Sequence, residues 1–524
     1  MAFTSLYFLV FVLAVVFVYY IVPVKVRWGV LLAASYAFYL MSSPKTFIFI
    51  LFTTVVTFLG GRAIGGHNKS YKAYIAEHGS ELTRDEKKAR KAQSQKKKRR
   101  VVALLLLANF GVLAIMKYFR YYLQALGIGE GIFDAGFLIP LGISFYTFQS
   151  VAYIIDLYRN KFEADQNILK FALFVSFFPQ IMQGPISRYD QLAGQLYEGH
   201  KFSYRNLSFG AQLILWGFMK KLIVADRVGI VVSEIFDNYT EYQGFYIVVG
   251  LLLYTIQIYA DFSGGIDIAR GVAQALGIDM AHNFQRPYFS DSISEFWRRW
   301  HITLGNWCRD YIFYPISLSK TFGKMGKNLR KVFGDRLGKL FPVLVAQLAT
   351  FLTIGLWHGA EFKYIAYGLY NGIIVISGLV LEPYLVKLAK LLRINTETFS
   401  WKLFQILRTF FLIVLGRIFP RAESFSVAIE MLKSMLVFNP GIFLNDHLFK
   451  LGISENEFAI VILFCVIWFV ISLMQENGWK IRESLAEQNM LFRWGIYIAA
   501  FVAVLLFGIY GPGYDASNFI YRGF

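Results

Sequence analysis

Seven long uncharged apolar runs constrain this chain more than any other feature. They are Leu6–Val22, Trp28–Leu40, Thr46–Gly60, Val101–Met116, Phe245–Tyr259, Phe458–Met474 and Ile496–Tyr510. A helix that crosses a bilayer needs about 20 mainly apolar residues, and several of these runs reach that length only with their flanks. Inside hydrocarbon every backbone N–H and C=O must be paired within the protein. The expected fold is an all-α polytopic membrane protein with about 11–14 transmembrane or re-entrant helices. Composition agrees, since 56% of the 524 residues are hydrophobic, against roughly 45–50% in soluble domains. Met1–Ser5 carries no basic residue and no small-residue cleavage site follows the first run, which therefore reads as a retained helix rather than a secretory signal.

The net charge of +19 is concentrated. Between Arg62 and Arg100 thirteen Lys or Arg face four acidic residues, and Lys320–Lys339 holds seven Lys or Arg against Asp335 alone. Such a run can address nucleic acid. Next to apolar runs it reads instead as a cytoplasmic loop that sets topology and touches anionic membrane lipids, with no nucleic acid as partner. Three helices precede residues 62–100, so the N-terminus is expected outside, and Lys25 and Arg27 then fall on the cytoplasmic side as the same rule requires. Four stretches follow: N-terminal transmembrane helices over 1–61, the basic loop over 62–100, a central core over 101–381 and C-terminal transmembrane helices over 382–524. The basic stretch is too charged to bury a core of its own, although its Glu, Lys, Arg and Ala suit surface helix.

The middle of the chain differs from its flanks. Its apolar runs are interrupted at Pro140–Tyr146, Pro179–Ile186 and Asp261–Asp267. Irregular backbone at membrane depth is tolerated only where protein buries it or where it lines a wet cavity. These interruptions therefore suggest broken helices around a central cavity. Ser292–Pro315 combines Glu295, Arg298, Arg299, His301, Arg309 and Asp310 with tryptophan and tyrosine. It reads as an interfacial or re-entrant helix with its aromatics at headgroup level. On one continuous helix Trp297 and His301 would share a face at i,i+4.

Two histidines stand out because ionisable groups are costly in a bilayer and persist there when they have a task or a partner. His301 closes Phe296-Trp297-Arg298-Arg299-Trp300-His301, and His358 sits in Trp357-His358-Gly359 at the end of an apolar run. Histidine exchanges a proton near neutral pH. Each has a bland alternative: His358 as a core residue bonded to a backbone carbonyl, His301 as an interfacial residue beside arginines that hold lipid phosphate. Gly359 permits close backbone approach by a ligand. Arg298 and Arg299 could equally hold a phosphorylated cofactor. Asp261 has no obvious local partner and is the better candidate for orienting a histidine, whereas Asp267 and Arg270 are spaced to pair. Lys220, Lys221, Asp226 and Arg227 read as an interfacial charge cluster.

Several chemistries lack their motif. There is no G-x-x-x-x-G-K-[ST] loop, no G-x-S-x-G elbow and no H-E-x-x-H pair, so an ATP-driven motor, a nucleophile-elbow hydrolase and a zincin are not supported. The histidine and aspartate spacing gives no metal template. Cys308 and Cys465 form no C-x-x-C pair and read as free thiols.

The combination F-W-R-R-W-H-x-x-L-x-x-W-x-R-D-Y over Phe296–Tyr311, followed by Trp357-His358-Gly359, resembles the membrane-bound O-acyltransferase family, most closely its bacterial branch for alginate O-acetylation and more distantly its teichoic acid D-alanylation branch. Pro140–Gln149, Pro179–Arg188, Tyr259–Arg270, Asn283–Pro287, Ser294–Pro315 and Phe519-Ile520-Tyr521 share the resemblance. Gly264-Gly265-Ile266 departs from it, because the family often has Gly-Tyr-Ser there. The resemblance implies helices around a central funnel, with 101–381 as the catalytic core. It implies transfer of an acyl group, acetyl first among them, from a cytoplasmic thioester such as acetyl-CoA towards an extracellular polysaccharide. No permanently bound cofactor and no metal are implied. His358 and His301 would be the catalytic pair, with His358 as base or proton shuttle. Asp261, Trp357, Trp297, Arg298 and Asp310 would support or orient them, and Arg299, Asn283 and Gln183 would contact substrate. The implied partner is an extracytoplasmic serine-type, SGNH-like acetyltransferase, and the implied location is the bacterial cytoplasmic membrane. D-Alanyl transfer to teichoic acid from a carrier-protein thioester, and a non-enzymatic transporter or flippase, are the rival expectations.

Overall fold

The computed structural model describes residues 1–119, 121–122, 139–444, 446–511, 514–515 and 519–520. Among them there is no strand beyond an isolated bridge between Phe284 and Trp300. Nine described helices are long and apolar enough to cross a membrane, and Leu6–Ile21 is apolar but shorter. The 11–14 expected included broken and re-entrant helices, and the interrupted stretch 143–198 forms four shorter helices of that kind among the described residues. The chain divides into two compact units, Met1–Gly210 with Val272–Ala281, and Ala211–Gly271 with His282–Phe524.

The first unit begins with α1 (Leu6–Ile21) and α2 (Arg27–Ser42), followed by α3 (Phe47–His78) and α4 (Arg84–Ala114). The basic stretch is not a loop: it forms the distal arms of α3 and α4. Thr83 caps α4 through its hydroxyl while Glu86 reaches back to the Thr83 N–H, the reciprocal capping box that ends this hairpin. Lys98 is buried and donates to Asn68 Oδ1 at 2.7 Å, tying the arms together. Glycine on α3 lets its neighbours come close: a Cβ at Gly61 would lie 2.8 Å from the Tyr153 ring.

Two of the three expected interruptions are real breaks. Gly142 adopts φ +68°, a conformation that costs glycine little. It starts α5 (Ile143–Tyr158), which is buried at fourteen of its sixteen residues. After α6 (Ile168–Ser176) the backbone turns at Phe177 into the single turn α7 (Phe178–Ile181), with Pro179 at its start. α8 (Tyr189–Glu198) completes this region.

The second unit takes over within α9 (Tyr204–Phe218), which runs through a π-helical stretch, Met219–Ala225, into α10 (Asp226–Asp237). Asp261–Asp267, expected as a third break, is instead continuous helix inside α11 (Phe245–Ala275). Its glycines serve a crossing. A Cβ at Gly264 would lie 2.9 Å from the Gly217 carbonyl, and one at Gly217 would lie 2.6 Å from the Gly264 carbonyl. The two backbones touch, and no side chain fits between them.

Ser292–Pro315 is not one helix. α12 (Ile293–Arg299) stops, Trp300 is extended, and His301 adopts φ +45° before α13 (Ile302–Cys308) begins. Trp300 and Trp307 are buried within the protein rather than presented at a surface. Lys320–His358, α14, bends at Gly334 with φ +84°. It then packs on α15 (Phe362–Leu391), where a Cβ at Gly355 would lie 2.5 Å from the Tyr364 carbonyl. α16 (Phe399–Gly416), α17 (Glu455–Glu476) and α18 (Met490–Phe507) follow. Cys308 and Cys465 are free thiols.

Candidate active site

The site is assembled within the second unit from three chain segments. The first is the link between α12 and α13. Gln285 N–H donates to the Arg299 carbonyl at 3.0 Å and Ile302 N–H to the Asn283 carbonyl at 2.9 Å, so the backbone of 283–285 brackets His301 on both sides. A non-glycine residue at positive φ is strained and persists where its surroundings over-determine it. The bracket supplies that restraint, and the buried His301 is displayed from a fixed backbone.

Asn283 also fixes the imidazole. Its Oδ1 accepts from Thr303 N–H at 3.1 Å and from the Thr303 hydroxyl at 2.9 Å, and it lies 3.1 Å from His301 Nδ1. The Thr303 backbone can only donate, so the amide oxygen must point this way and His301 Nδ1 must carry the proton. The Nε2 atom of His301 then holds the ring's lone pair. Asn283 is therefore placed to orient a histidine through its amide oxygen.

The second segment is the end of α14. Trp357 lies against His301 with ring centroids 5.6 Å apart and against His358 at 4.8 Å. The two histidines, far apart in sequence, thus flank one indole. Phe262 of α11 meets His301 edge-on at 4.9 Å. The third segment is the start of α15: Tyr364 lies nearly parallel to the His358 ring at 6.2 Å and Tyr367 meets it edge-on at 5.6 Å. Gly359 does permit close approach, but the Tyr364 ring takes the space, since a Cβ there would clash with it.

Other expected site residues fall elsewhere. Asp261 does not orient a histidine: Lys221 Nζ lies 2.6 Å from its Oδ1 and Ile520 N–H donates to its Oδ2 at 2.9 Å. Tyr521, in the same matching stretch as Ile520, lies outside the described residues. Asp267 pairs with Lys220, and Lys220 and Lys221 are buried within a helix long and apolar enough to span a membrane. Trp297 and His301 do not share a helical face, because α12 ends between them, and Trp297 instead meets Phe351 of α14 at 5.2 Å. Arg298 is exposed and pairs with Glu295 at 3.0 Å. Arg299 is held by Glu295 and Glu476, each at 2.8 Å, so its charge is already matched within the protein. Asp310 lies 3.1 Å from Arg309. Gln183 belongs to the first unit.

The sequence reading missed Arg417. Its guanidinium is buried, lies 4.3 Å from the centre of the Trp300 ring and donates to the Tyr367 hydroxyl at 3.2 Å. It thereby ties the residue before His301 to a ring packed on His358. An arginine directly after the apolar run Thr409–Gly416 that ends α16 was the available signal. Two buried N–H groups of this region, Asn283 Nδ2 and Trp297 Nε1, have no acceptor among the described residues. Unpaired buried donors are costly, and donors of this kind suit an oxygen on which negative charge develops. No cluster of three His, Cys, Asp or Glu among the described residues is arranged to hold a metal ion.

His301 lies outside the spanning helices, and burial pushes its imidazole down to about 3. An unfolded histidine protonates near pH 6.5. As pH falls below about 6.5 the unfolded chain takes up a proton that the folded chain refuses, so stability falls by roughly 1.4 kcal/mol per pH unit from this group. Above that pH the group contributes no slope. A His301→Gln variant should therefore lose less melting temperature than the wild type between about pH 6.5 and 5.5. Equal losses in the two proteins would refute the neutral, desolvated imidazole.

A sequence profile of the membrane-bound O-acyltransferase family matches residues 160–327. A Pseudomonas syringae pv. tomato protein named "Probable alginate O-acetylase AlgI" is 36% identical over 64% of this chain and 60% of its own length, so the chain spans less than two thirds of that relative. An Azotobacter vinelandii protein of the same name is 31% identical over 87% of this chain and 82% of its own length. A Helicobacter pylori peptidoglycan O-acetyltransferase is 29% identical over 72% of this chain and 75% of its own length.

Proposed function

Because this chain belongs to the membrane-bound O-acyltransferase family, we propose that it moves an acetyl group from a cytoplasmic thioester, acetyl-CoA, across the bacterial cytoplasmic membrane for O-acetylation of an extracellular or cell-wall polysaccharide. The observation that carries this reading is the buried ring series His301, Trp357 and His358, with the His301 tautomer set by Asn283. The names of the relatives, an alginate O-acetylase and a peptidoglycan O-acetyltransferase, support a sugar hydroxyl as the final acceptor.

The chemistry follows from the residues. A hydroxyl oxygen attacks the thioester carbonyl, a C–O bond forms and the C–S bond breaks. The hydroxyl proton passes to an imidazole and then to the departing thiolate. His358 is the base, and a positioned histidine contributes roughly 10²–10⁴-fold. His301, neutral with its proton on Nδ1, orients the hydroxyl through Nε2. Asn283 Nδ2 and Trp297 Nε1 donate to the carbonyl oxygen as charge builds on it. Acetyl-CoA is a substrate, not a resident cofactor.

The basic arms of α3 and α4 and the Lys320–Lys339 stretch face the cytoplasm in this reading, where they meet anionic lipid and the phosphates of coenzyme A. The N-terminus is then outside. The acetyl group is handed on to an extracytoplasmic SGNH-like transferase that modifies the polymer. The test uses the purified chain in vesicles of both orientations, given labelled acetyl-CoA on one side only. Label should leave the thioester for a hydroxyl acceptor, with one free thiol released per transfer, only when the donor is on the side of the α3–α4 hairpin. Consumption of a D-alanyl carrier-protein thioester in place of acetyl-CoA would move the assignment to teichoic acid. Transport without thioester cleavage would end the enzymatic reading.

A further inference from the structure

Arg417 stands where the two histidine-bearing segments come within reach of one side chain. It follows α16 directly, and its N–H donates to the Ile413 carbonyl at 3.2 Å and the Val414 carbonyl at 3.0 Å, so the helix end holds its backbone. α15 docks there through Tyr370, whose hydroxyl donates to the Leu412 carbonyl at 2.7 Å. Gly416 permits the approach, because a Cβ there would lie 2.6 Å from the Tyr370 ring. Tyr367, three residues before Tyr370, shares that side of α15, and its hydroxyl accepts from Arg417 Nη1 at 3.2 Å. The other end of the contact is the α12–α13 link. Trp300 is extended between those helices and buried, and its ring centre lies 4.3 Å from the guanidinium. Its indole is packed on Phe284 at 5.0 Å, Phe296 at 5.6 Å and Tyr259 at 5.9 Å. His301 follows Trp300 in the chain, and Tyr367 meets the His358 ring edge-on. One guanidinium therefore sits one residue away from the first histidine and one ring away from the second.

A methionine at this position would supply a long side chain with no charge to desolvate. Ionisable groups buried at membrane depth persist when they have a task or a partner, and the shape of this one indicates the task. A planar guanidinium lies over an aromatic ring and donates from its edge at the same time, whereas an ammonium is a point charge on a flexible stem. The contact that results has two ends, and each end leads to a histidine. Acyl transfer needs such control, because a misplacement of about 1 Å between reacting groups costs about 10²-fold in rate.

We propose that Arg417 is a positioning residue for acyl transfer, fixing the two histidines relative to each other by holding Trp300 and Tyr367 at once. The role rests on the acyltransferase reading for its chemistry, but the coupling of His301 to His358 that it requires does not. Arg417 acts through its two aromatic partners, and no bond is made or broken at it.

The decisive variants are Arg417→Met, Arg417→Lys and Tyr367→Phe. Arg417→Met should lower kcat about 10²-fold while KM for acetyl-CoA stays within about twofold, because geometry at the reacting centre is lost and uniform binding is not. Arg417→Lys keeps the charge but cannot span both contacts, and should regain no more than about a tenth of the wild-type kcat. Tyr367→Phe keeps the ring against His358 and removes only the hydroxyl, so kcat should fall about tenfold, the size of one lost hydrogen bond to a charged group. Arg417→Met combined with Tyr367→Phe should be no slower than Arg417→Met alone, because both cut the same tie. Losses that multiply overturn the proposal. Wild-type kcat in Arg417→Lys reduces the residue to its charge and overturns it. A rise in KM with unchanged kcat, or a lower melting temperature with wild-type kcat per folded molecule, also overturns it. Tyr367→Phe carries the test alone if the Arg417 variants do not fold. In protein with ¹⁵N-labelled histidine, the His301 ring signals are identified by their loss in His301→Gln. Tyr367→Phe changes a group packed on His358, yet it should shift the His301 signals, a readout that stability alone does not move. His301 signals identical to wild type, or an unchanged kcat in Tyr367→Phe, overturn the coupling. A wild-type protein that transfers acetyl from no thioester would sink the acyltransferase reading alone, and the histidine signals would still decide the coupling.

Discussion

A His358→Ala variant is expected to lose surface O-acetylation by two to four orders of magnitude while remaining in the membrane, the range associated with removing a positioned base. The substitution also deletes packing, because His358 is buried against Trp357, Tyr364 and Tyr367. Truncating a large buried side chain commonly costs a few kcal/mol by cavity formation. His358→Gln separates the two effects. Glutamine keeps much of the volume and a hydrogen-bonding end, but it cannot accept and return a proton near neutral pH. Both variants should be inactive, and only His358→Ala should melt appreciably earlier. Quantitative acetyl release from purified polysaccharide, with membrane abundance measured in parallel, reads both. Wild-type acetylation in His358→Gln would remove the base from the mechanism and with it the proposed chemistry.

The second large effect is on stability. Lys221 is buried with its ammonium 2.8 Å from Asp226 and 2.6 Å from Asp261. The surrounding contacts complete the cage. Tyr514 hydroxyl donates to Asp226 at 3.0 Å, Ile520 N–H donates to Asp261, and the Phe519 ring lies 4.3 Å from the ammonium. Removing one member of a buried ion pair leaves a charge with no compensation and typically costs 3–5 kcal/mol. Lys221→Met should therefore lower the thermal transition strongly and lower the yield of folded protein. Asp261→Asn in the same chain should recover part of the loss, because one of the two stranded carboxylates is then neutral. A Lys221→Met protein that melts with the wild type, or a double variant no better than the single, would show that the pair carries little net energy. Because Tyr514, Phe519 and Ile520 contact the network, the same variant should make peptide bonds next to those three residues more accessible to protease.

These two expectations differ in how they could be found. His358 stands out in the linear chain, a titratable residue closing an apolar run before glycine. The environment that makes it testable does not. Tyr364 and Tyr367 reach it because α14 and α15 touch at Gly355 and Gly368, a packing contact that no local pattern announces. Asp261 illustrates the opposite error. Its lack of a nearby basic residue suggested a histidine partner, but the partner is Lys221, forty positions earlier. The π-helical turn Met219–Ala225 presents Lys220 and Lys221 to two different carboxylates of α11, an arrangement that a regular 3.6-residue period does not imply. Gly264 and Gly265 looked like a helix break and proved to be a helix crossing, since glycine permits either outcome.

Apolar run length and the clustering of charge depend on neighbours in sequence. They were enough to indicate a helical membrane protein, a basic stretch over 62–100, interruptions of which those at Gly142 and Phe177 are breaks, and two histidines worth testing. Partner choice depends on which segments meet after folding. That is why the positive φ of His301, the tautomer imposed by Asn283, the buried Arg417 and the pairing of Lys221 emerged with the packed chain. Charges and amides excluded from water must find partners wherever the backbone brings them, and in a bundle of long helices those partners lie tens to hundreds of residues away.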